Sequence, residues 1–281
     1  MSSRTIKRTF RAKPTVEGAG VHLHRIFGYG EVPQCDPFLL LDDFSSKNPT
    51  DYEAGFPWHP HRGIETVTYM LEGEVRHEDS MHNKGVVGAG AVQWMTAGRG
   101  IVHQEMPNPE KTPITGFQLW VNLPRAHKMM SPRYQDILPD QIPETEHDGA
   151  RVKIIAGSWH EAQGPVSDLM VNPLYLDVSL EAGKTFSCDV PENDTALVYV
   201  IEGMAGVTAP KDQIASGTAA LLETGSTIEV YAGEKSTRFL VIAGKPIGEP
   251  VAWYGPIVMN TDEELQQAFD DLEAGTFVQK A

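Results

Sequence analysis

Three histidines and one glutamate have the spacing of metal ligands. His59 and His61 are separated by a single residue in the segment GFPWHPHRGIETV, and His103 and Glu105 are separated by a single residue in TAGRGIVHQEMP. On an extended backbone, side chains two positions apart project from the same face. If the two segments lie side by side, three imidazole nitrogens and one carboxylate converge. Such a ligand set is typical of a first-row transition metal with a coordination position left open for water or substrate.

A second carboxylate competes for the fourth ligand position. Glu65 lies four residues after His61 and therefore projects from the same face of an extended strand. Spacing alone leaves Glu65 and Glu105 as alternatives. In either case the ligands disfavour calcium and magnesium, which take more oxygen atoms, and structural zinc, which usually brings cysteines.

The elements that position these residues are predicted to be strands. The chain has 26 Gly and 20 Pro, and they separate short runs of strand-forming residues such as IETVTYML, GFQLWVNL, LYLDVSL, ALVYVIEG and TRFLVIAG. This pattern predicts an all-β protein of the sandwich or barrel type. A helix is predicted in the segment TDEELQQAFDDLEAGTF alone, where Thr261 and Glu264 have the spacing of a capping box and Gly275 suits the end.

The chain also resembles itself at an offset of 130 residues. The segment ETVTYMLEGEV aligns with TALVYVIEGMA, which places Gly73 on Gly203. Each segment is predicted to be a strand that ends in a Glu-Gly hairpin turn. Two copies of one β-unit explain the similarity, and we place them at residues 1–130 and 131–281.

The composition narrows the classes of function. The chain of 281 residues has 23 Lys and Arg against 38 Asp and Glu, a formal net charge of −15 at pH 7. A surface this acidic repels phosphate backbones, so we expect no direct binding of nucleic acid. We find no apolar run of membrane-spanning length and no secretory signal, and two widely separated cysteines do not make a disulfide scaffold. These features predict a cytoplasmic protein without membrane contact.

The ligand segments also carry a family resemblance. FPWHPHRGIETVTYMLEGEVRHEDS and GAVQWMTAGRGIVHQEMP closely resemble the signature of the pirin family, within the cupin superfamily. GFQLWVNLP, MMSPRYQDI and GEPVAWYGPIVMNT are also pirin-like, so the resemblance covers nearly the whole chain. It implies a bicupin: two β-barrel (cupin or jelly-roll) domains and the short C-terminal helix. It also implies that the metal ligands are His59, His61, His103 and Glu105, all in the N-terminal cupin.

The resemblance further implies a function for this site. We expect one divalent transition metal, Fe(II) first, with Cu, Mn, Ni, Co and Zn as alternatives. The implied activity is a quercetin 2,3-dioxygenase reaction, in which dioxygen opens the central ring of a small aromatic, flavonol-like substrate. Glu105 is then the expected catalytic base. Other pirins are transcriptional co-regulators or partners of metabolic enzymes. The alternative is therefore a non-catalytic metal or redox sensor that binds a protein partner.

Three further expectations concern the surroundings of the site. At the offset of 130, the four ligands fall on Asp189, Pro191, Gly233 and Lys235, which predicts a metal-free C-terminal cupin. The HED segment with His77 and Asp79 is expected to be a solvated turn. The apolar side chains that flank the second ligand segment are expected to be core residues first and, as a second role, to offer an apolar wall beside the metal: Trp94, Met95 and Met106.

Overall fold

Alternation of apolar and polar residues produces the strands of this fold. In Ile101–Pro107 every second residue is buried, and Thr185–Asp189 repeats the pattern. This period of two is expected where one face of a strand lies against a core. The computed structural model describes residues 2–278 of the chain. Within that range the protein is built mainly of strands, as predicted.

The first twelve strands precede residue 138. Their bounds are β1 (Ile6–Arg11), β2 (Lys13–Glu17), β3 (Val21–Phe27), β4 (Phe38–Asp43), β5 (Phe56–His61), β6 (Ile64–Glu72), β7 (Glu74–Asp79), β8 (Lys84–Gly88), β9 (Val92–Thr96), β10 (Ile101–Pro107), β11 (Thr115–Asn122) and β12 (Arg133–Ile137). Short 3-10 helices cover Tyr29–Glu31, Pro49–Asp51, Arg125–His127 and Pro139–Gln141.

The later strands and the α-helix complete the set of elements. Their bounds are β13 (Glu144–His147), β14 (Ala150–Ala156), β15 (Ser158–Trp159), β16 (Ala162–Gln163), β17 (Leu174–Leu180), β18 (Thr185–Asp189), β19 (Thr195–Glu202), β20 (Met204–Val207), β21 (Gln213–Ala215), β22 (Thr218–Leu222), β23 (Thr227–Ala232), β24 (Thr237–Gly244), β25 (Ala252–Tyr254), β26 (Ile257–Met259) and α1 (Asp262–Glu273).

The strands form two structural units, which we call the N-unit and the C-unit. The N-unit comprises Lys13–Gln34, Phe38–Pro139 and the segment from Ile247 onward. The C-unit comprises the segment through Ala12, Cys35–Pro37 and Asp140–Pro246. A single division after residue 130 would instead place the segment through Ala12 with the N-unit and the segment from Ile247 onward with the C-unit. The division into domains at 1–130 and 131–281 stays a prediction.

Both units contain the same sheets. The N-unit has a seven-stranded sheet in the order β12-β9-β6-β11-β4-β3-β2 and a four-stranded sheet in the order β5-β10-β7-β8. The C-unit has β1-β22-β19-β24-β17-β14-β13 and β18-β23-β20-β21. The predicted repeat of one β-unit is confirmed. β6 and β19 occupy the same position in the seven-stranded sheets, and each is followed by a glycine of equal conformation, Gly73 at φ 79° and Gly203 at φ 80°. Adjacent strands within these sheets pair antiparallel.

The predicted helix is confirmed in α1. The Thr261 side chain accepts a hydrogen bond from the backbone N–H of Glu264, and the Glu264 carboxylate accepts one from the backbone N–H of Thr261. This capping box satisfies donors that the first helical turn leaves free. Leu265 and Phe269 pack against a small apolar cluster of the N-unit. Among residues 2–278, no helix combines the length and the apolar character needed to cross a membrane.

Candidate metal centre

Strand pairing brings the three predicted histidine ligands together. β5 and β10 are antiparallel neighbours, with His59 opposite His103 and His61 opposite Ile101. One nitrogen from each imidazole lies within 4.8 Å of the other two. The prediction that two separate His-x-His and His-x-Glu segments converge is confirmed for the histidines.

Backbone carbonyls determine which nitrogen of two rings carries the proton. His59 Nδ1 lies 2.9 Å from the carbonyl oxygen of Pro57, and His61 Nδ1 lies 3.0 Å from that of Pro256. A carbonyl only accepts, so each Nδ1 is the donor and each Nε2 of a neutral ring keeps a lone pair. The two Nε2 atoms face each other at 3.1 Å. Two lone pairs at this distance repel unless a cation lies between them.

The third histidine has an unpaired nitrogen directed at the same place. His103 is fully buried, and within residues 2–278 its Nε2 has no hydrogen-bond partner. A buried polar atom normally has a partner, so this atom requires an explanation. Three converging nitrogen lone pairs fit a divalent transition metal, for which imidazole is a preferred ligand.

Burial favours the neutral form of two candidate ligands, His61 and His103. Desolvation lowers the pKa of His61 well below its ordinary value, and the nearby His59 lowers it further. Desolvation likewise lowers the pKa of His103, and the neighbouring imidazoles add to the effect. Neutral imidazole is the form that binds metal, so these two rings are competent ligands at neutral pH.

The two candidate carboxylates differ in their surroundings. Glu65 is fully buried and accepts hydrogen bonds from Trp94 Nε1 at 3.1 Å and Thr96 Oγ1 at 2.7 Å, so the sheet already uses both oxygens. Glu105 lies on the same face of β10 as His103, and its Oε1 accepts a bond from Thr68 Oγ1 at 2.9 Å. Its carboxylate lies outside the compact group that the three histidine nitrogens form. Glu105 as the fourth ligand therefore stays a prediction.

A large cavity adjoins the histidines. Its volume is about 760 Å³, and His59, His61 and Glu105 contribute to its wall. Trp94 and Met95 are fully buried core residues, as expected, and Trp94 Nε1 bonds Glu65. The second expectation, that Trp94, Met95 and Met106 form the apolar wall, was wrong, because none of the three lines this cavity. The cavity wall is supplied by other strands and loops of the N-unit, including Leu23, Leu40, Phe44, Tyr52, Phe56, Val75, Ile114, Trp120 and Trp253.

The HED segment lies in a strand beside the ligand strand β10 and is not a solvated turn. It belongs to β7, which pairs with β10 so that His77 lies opposite Glu105 and Asp79 opposite His103. His77 is 3 % exposed and Asp79 is 2 % exposed. The prediction was wrong because the alternation of Val75, His77 and Asp79, which directs all three inward, was overlooked in favour of their polarity.

The C-unit has other residues at the positions of the four predicted ligands. The hairpins at Gly73 and Gly203 align the two units, and strand register carries the alignment to neighbouring strands. In order, His59, His61, His103 and Glu105 then correspond to Cys188, Val190, Ile228 and Val230.

The predicted equivalents Asp189, Pro191, Gly233 and Lys235 were therefore wrong. The offset of 130 holds at the hairpin but is smaller both on β5, which precedes it, and on β10, which follows it, because the connecting loops differ in length. Valine and isoleucine have no lone pair to offer a metal. Burial raises the pKa of Cys188 to about 12, so its thiol stays protonated.

Comparison with known proteins agrees with these features. Residues 20–121 match the family model described as Pirin, and residues 175–278 match the Pirin C-terminal cupin domain. A pirin-like protein of Caulobacter vibrioides is 46% identical over 279 residues, which cover 99% of this chain and 100% of the relative.

Solved structures are similar over the same extent. A quercetin 2,3-dioxygenase from Acinetobacter baumannii has a TM-score of 0.90 at 35% identity, covering 98% of this chain and 99% of its own. A bacterial pirin from Escherichia coli in complex with nickel(II) has a TM-score of 0.66 at 19% identity, covering 85% and 98%, and shares the fold. With two cupin domains, a convergent histidine cluster and this extent of similarity, the chain belongs to the pirin family.

Proposed function

We propose that the N-unit is a metal-dependent dioxygenase that opens the ring of a flavonol-like substrate. The observation that carries the proposal is the position of the histidine cluster, whose lone pairs converge at the wall of a large, mainly apolar cavity. The similarity to a quercetin 2,3-dioxygenase over nearly the whole chain supports the same reaction class.

The proposed ligands are His59, His61, His103 and Glu105, with Fe(II) as the expected metal. When bound, such a metal supplies Lewis acidity toward a substrate oxygen and redox chemistry toward dioxygen. The carbonyls of Pro57 and Pro256 hold two of the imidazoles with their lone pairs directed inward. This preorganisation reduces the rearrangement needed on metal binding. The nickel complex of the Escherichia coli pirin supports a divalent metal without deciding its identity.

The cavity suits a planar aromatic molecule. A volume of about 760 Å³ is large enough for a ligand of that class, for which pockets of ~300–1,000 Å³ are usual. Part of the wall is apolar, with Leu23, Phe44 and Ile114 in one packed cluster, and would exclude water from the rings of the substrate. Another part presents Thr68 and Gln118 next to Glu105, where polar oxygens of the substrate would bind.

Glu105 is the proposed base for the reaction. Its carboxylate lines the cavity and is held by the Thr68 hydroxyl at 2.9 Å. That hydroxyl also lies 2.9 Å from Gln118 Oε1. A hydroxyl has a single proton to donate, so a bond to Glu105 requires the Gln118 amide to be turned with its NH₂ toward Thr68. The Gln118 oxygen is then free to accept a substrate hydroxyl, while Glu105 takes the proton of the acidic hydroxyl at the ring to be opened.

Oxygen uptake tests the proposal. Protein loaded anaerobically with Fe(II) and analysed for metal should consume dioxygen with quercetin. A matched flavone that lacks the 3-hydroxyl should give little consumption, because it offers no hydroxyl on the ring to be opened. A protein that holds its metal but consumes no dioxygen with any flavonol would refute the enzyme and favour a metal or redox sensor with a protein partner.

A further inference from the structure

A buried polar pair neighbours His103 and does not line the cavity. His77 and Asp79 both project inward from β7, the strand that neighbours the ligand strand β10. The side chains of both residues are completely buried. The proposed reaction uses neither of them. Polar groups held this deeply need hydrogen-bond partners, so their contacts indicate what they do.

The contacts form a chain that ends at the ligand. Asp79 Oδ2 lies 3.4 Å from His77 Nε2, and His77 Nδ1 lies 3.4 Å from His103 Nδ1. Asp79 also accepts hydrogen bonds from the backbone N–H groups of Met81 at 2.8 Å and Asn83 at 3.0 Å, and from Asn83 Nδ2 at 2.8 Å. Because donors from the following turn converge on both of its oxygens, Asp79 is fixed as an acceptor.

Because Asp79 is an acceptor, it determines which nitrogen carries the proton in the His77 and His103 rings. Since Asp79 accepts, His77 donates from Nε2, and a neutral His77 ring then has its lone pair on Nδ1. That lone pair requires His103 to donate from Nδ1. The lone pair of His103 is thereby left on Nε2, the atom that has no partner within residues 2–278.

We propose that His77 and Asp79 are positioning residues that hold His103 in its metal-binding tautomer and orientation. The inference rests on the metal site of the proposed function but not on its dioxygenase chemistry. Tyr134 packs against the His77 ring, with centroids 4.8 Å apart, and limits its rotation. His103 thus has an imidazole where His59 and His61 have backbone carbonyls, and the carboxylate behind it makes the ligand more electron-rich.

Two substitutions of His77 separate the hydrogen-bond chain from the volume of the ring. Gln can accept from His103 through Oε1 and donate to Asp79 through Nε2, whereas Phe fills the space and retains the contact with Tyr134 but can do neither. Affinity is measured without substrate or dioxygen, by titrating Co(II) against a competing chelator and following its visible absorption. We expect His77→Phe to weaken Co(II) binding ~10–100-fold, the usual effect of losing an outer hydrogen-bond partner. His77→Gln should stay within a few-fold of the wild type.

Glu78→Gln is the matched control on the same strand. Glu78 is directed outward and pairs with Lys84 at 2.6 Å, so its substitution should leave Co(II) affinity unchanged. Wild-type affinity in a folded His77→Phe variant would overturn the proposal. Equal losses in the Phe and Gln variants would overturn it too, because the ring and not the hydrogen bonds would then matter.

A measurement on the unmodified protein covers the case in which His77→Phe does not fold. Nitrogen-15 NMR of the Zn(II)-loaded wild type reports which nitrogen of each histidine is protonated. We expect a proton on Nδ1 of His103 and on Nε2 of His77. A proton on Nδ1 of His77 would overturn the proposal. Neither experiment involves a flavonol, so a protein without dioxygenase activity would still give a decisive result.

Discussion

The N-unit and the C-unit have matching strand orders in both of their large sheets but different interiors, and only the edge strands differ in chain order, since β12 follows the other strands of its sheet and β1 precedes those of its own. In the C-unit, a single large cluster of buried apolar residues lies between the sheets, and in it the Phe186 ring contacts Trp159 and Phe239. In the N-unit, the corresponding space contains a cavity of about 760 Å³ and three histidines. The same backbone thus supports either a packed core or a site.

The difference is concentrated on the two strands that carry the predicted ligands. β5 and β10 present His59, His61, His103 and Glu105, whereas β18 and β23 present a thiol and apolar side chains at the same places. Burying an aliphatic side chain contributes ~1.5–3 kcal/mol, a gain that the N-unit gives up at each of these positions. The comparison indicates that the candidate metal site of the N-unit occupies positions at which the C-unit has core residues.

Exchange of one residue between the units should have the largest effect. His103→Ile gives the N-unit the residue that the C-unit has in Ile228. We expect the metal content to fall from about one per chain to near zero, because the variant lacks one of the three converging lone pairs. Elemental analysis after anaerobic loading with Fe(II) measures this. Ile228→Val should leave the content unchanged, and a wild-type stoichiometry near two would contradict the contrast between the units.

Substitution of Glu105 should have the next largest effect, and substitution of the other buried glutamate, Glu65, should affect turnover much less. Glu105→Gln keeps the size of the side chain but removes its charge and basicity. We expect metal affinity to fall ~10–100-fold and turnover at saturating Fe(II) to fall by a further ~10²–10⁴-fold. Glu65→Gln should affect stability more than turnover, because the sheet uses that carboxylate. Full activity in Glu105→Gln together with loss in Glu65→Gln would reverse the assignment.

Truncation of an aromatic residue should reduce stability more in the core of the C-unit than beside the cavity of the N-unit. Phe239→Ala leaves a new void in a packed core and should destabilise the C-unit by ~3–5 kcal/mol. Phe44→Ala only enlarges an existing cavity, so we expect a smaller loss in the N-unit. Hydrogen exchange followed by mass spectrometry reports the opening free energy of each unit separately. Equal losses would mean that the cavity wall is packed as tightly as the core.

Removal of a single hydroxyl should have the smallest effect. Thr68→Val deletes the donor to Glu105, and one such bond is worth ~0.5–1.5 kcal/mol, or a few-fold in turnover with quercetin. Thr96→Val is the matched control, because it deletes the corresponding donor to Glu65. The control should leave turnover unchanged. A larger fall in turnover for Thr96→Val than for Thr68→Val would identify Glu65 as the functional carboxylate.

The features that could be predicted from the sequence depend on local periodicity. His59 and His61 share a face because residues alternate along a strand, and Thr261 caps a helix because its partner Glu264 is three residues away. The glycines after β6 and β19 adopt positive φ for the same local reason. Neighbouring residues decide each of these features, and the tertiary structure did not change them.

Long-range pairing decided the rest, because periodicity identifies faces but not which face meets which partner. Glu65 and Glu105 had equally suitable spacing, and only the folded structure distinguishes them, because Glu65 bonds Trp94 and Thr96 whereas Glu105 lines the cavity. The carbonyl that orients His61 belongs to Pro256, 195 residues away. The prediction that His77 and Asp79 lie in a solvated turn was wrong, because their burial depends on the neighbouring strand and not on their polarity. The predicted C-unit equivalents of the ligands were wrong because the alignment of corresponding residues in the two units depends on loop lengths. No local sequence pattern gives those lengths.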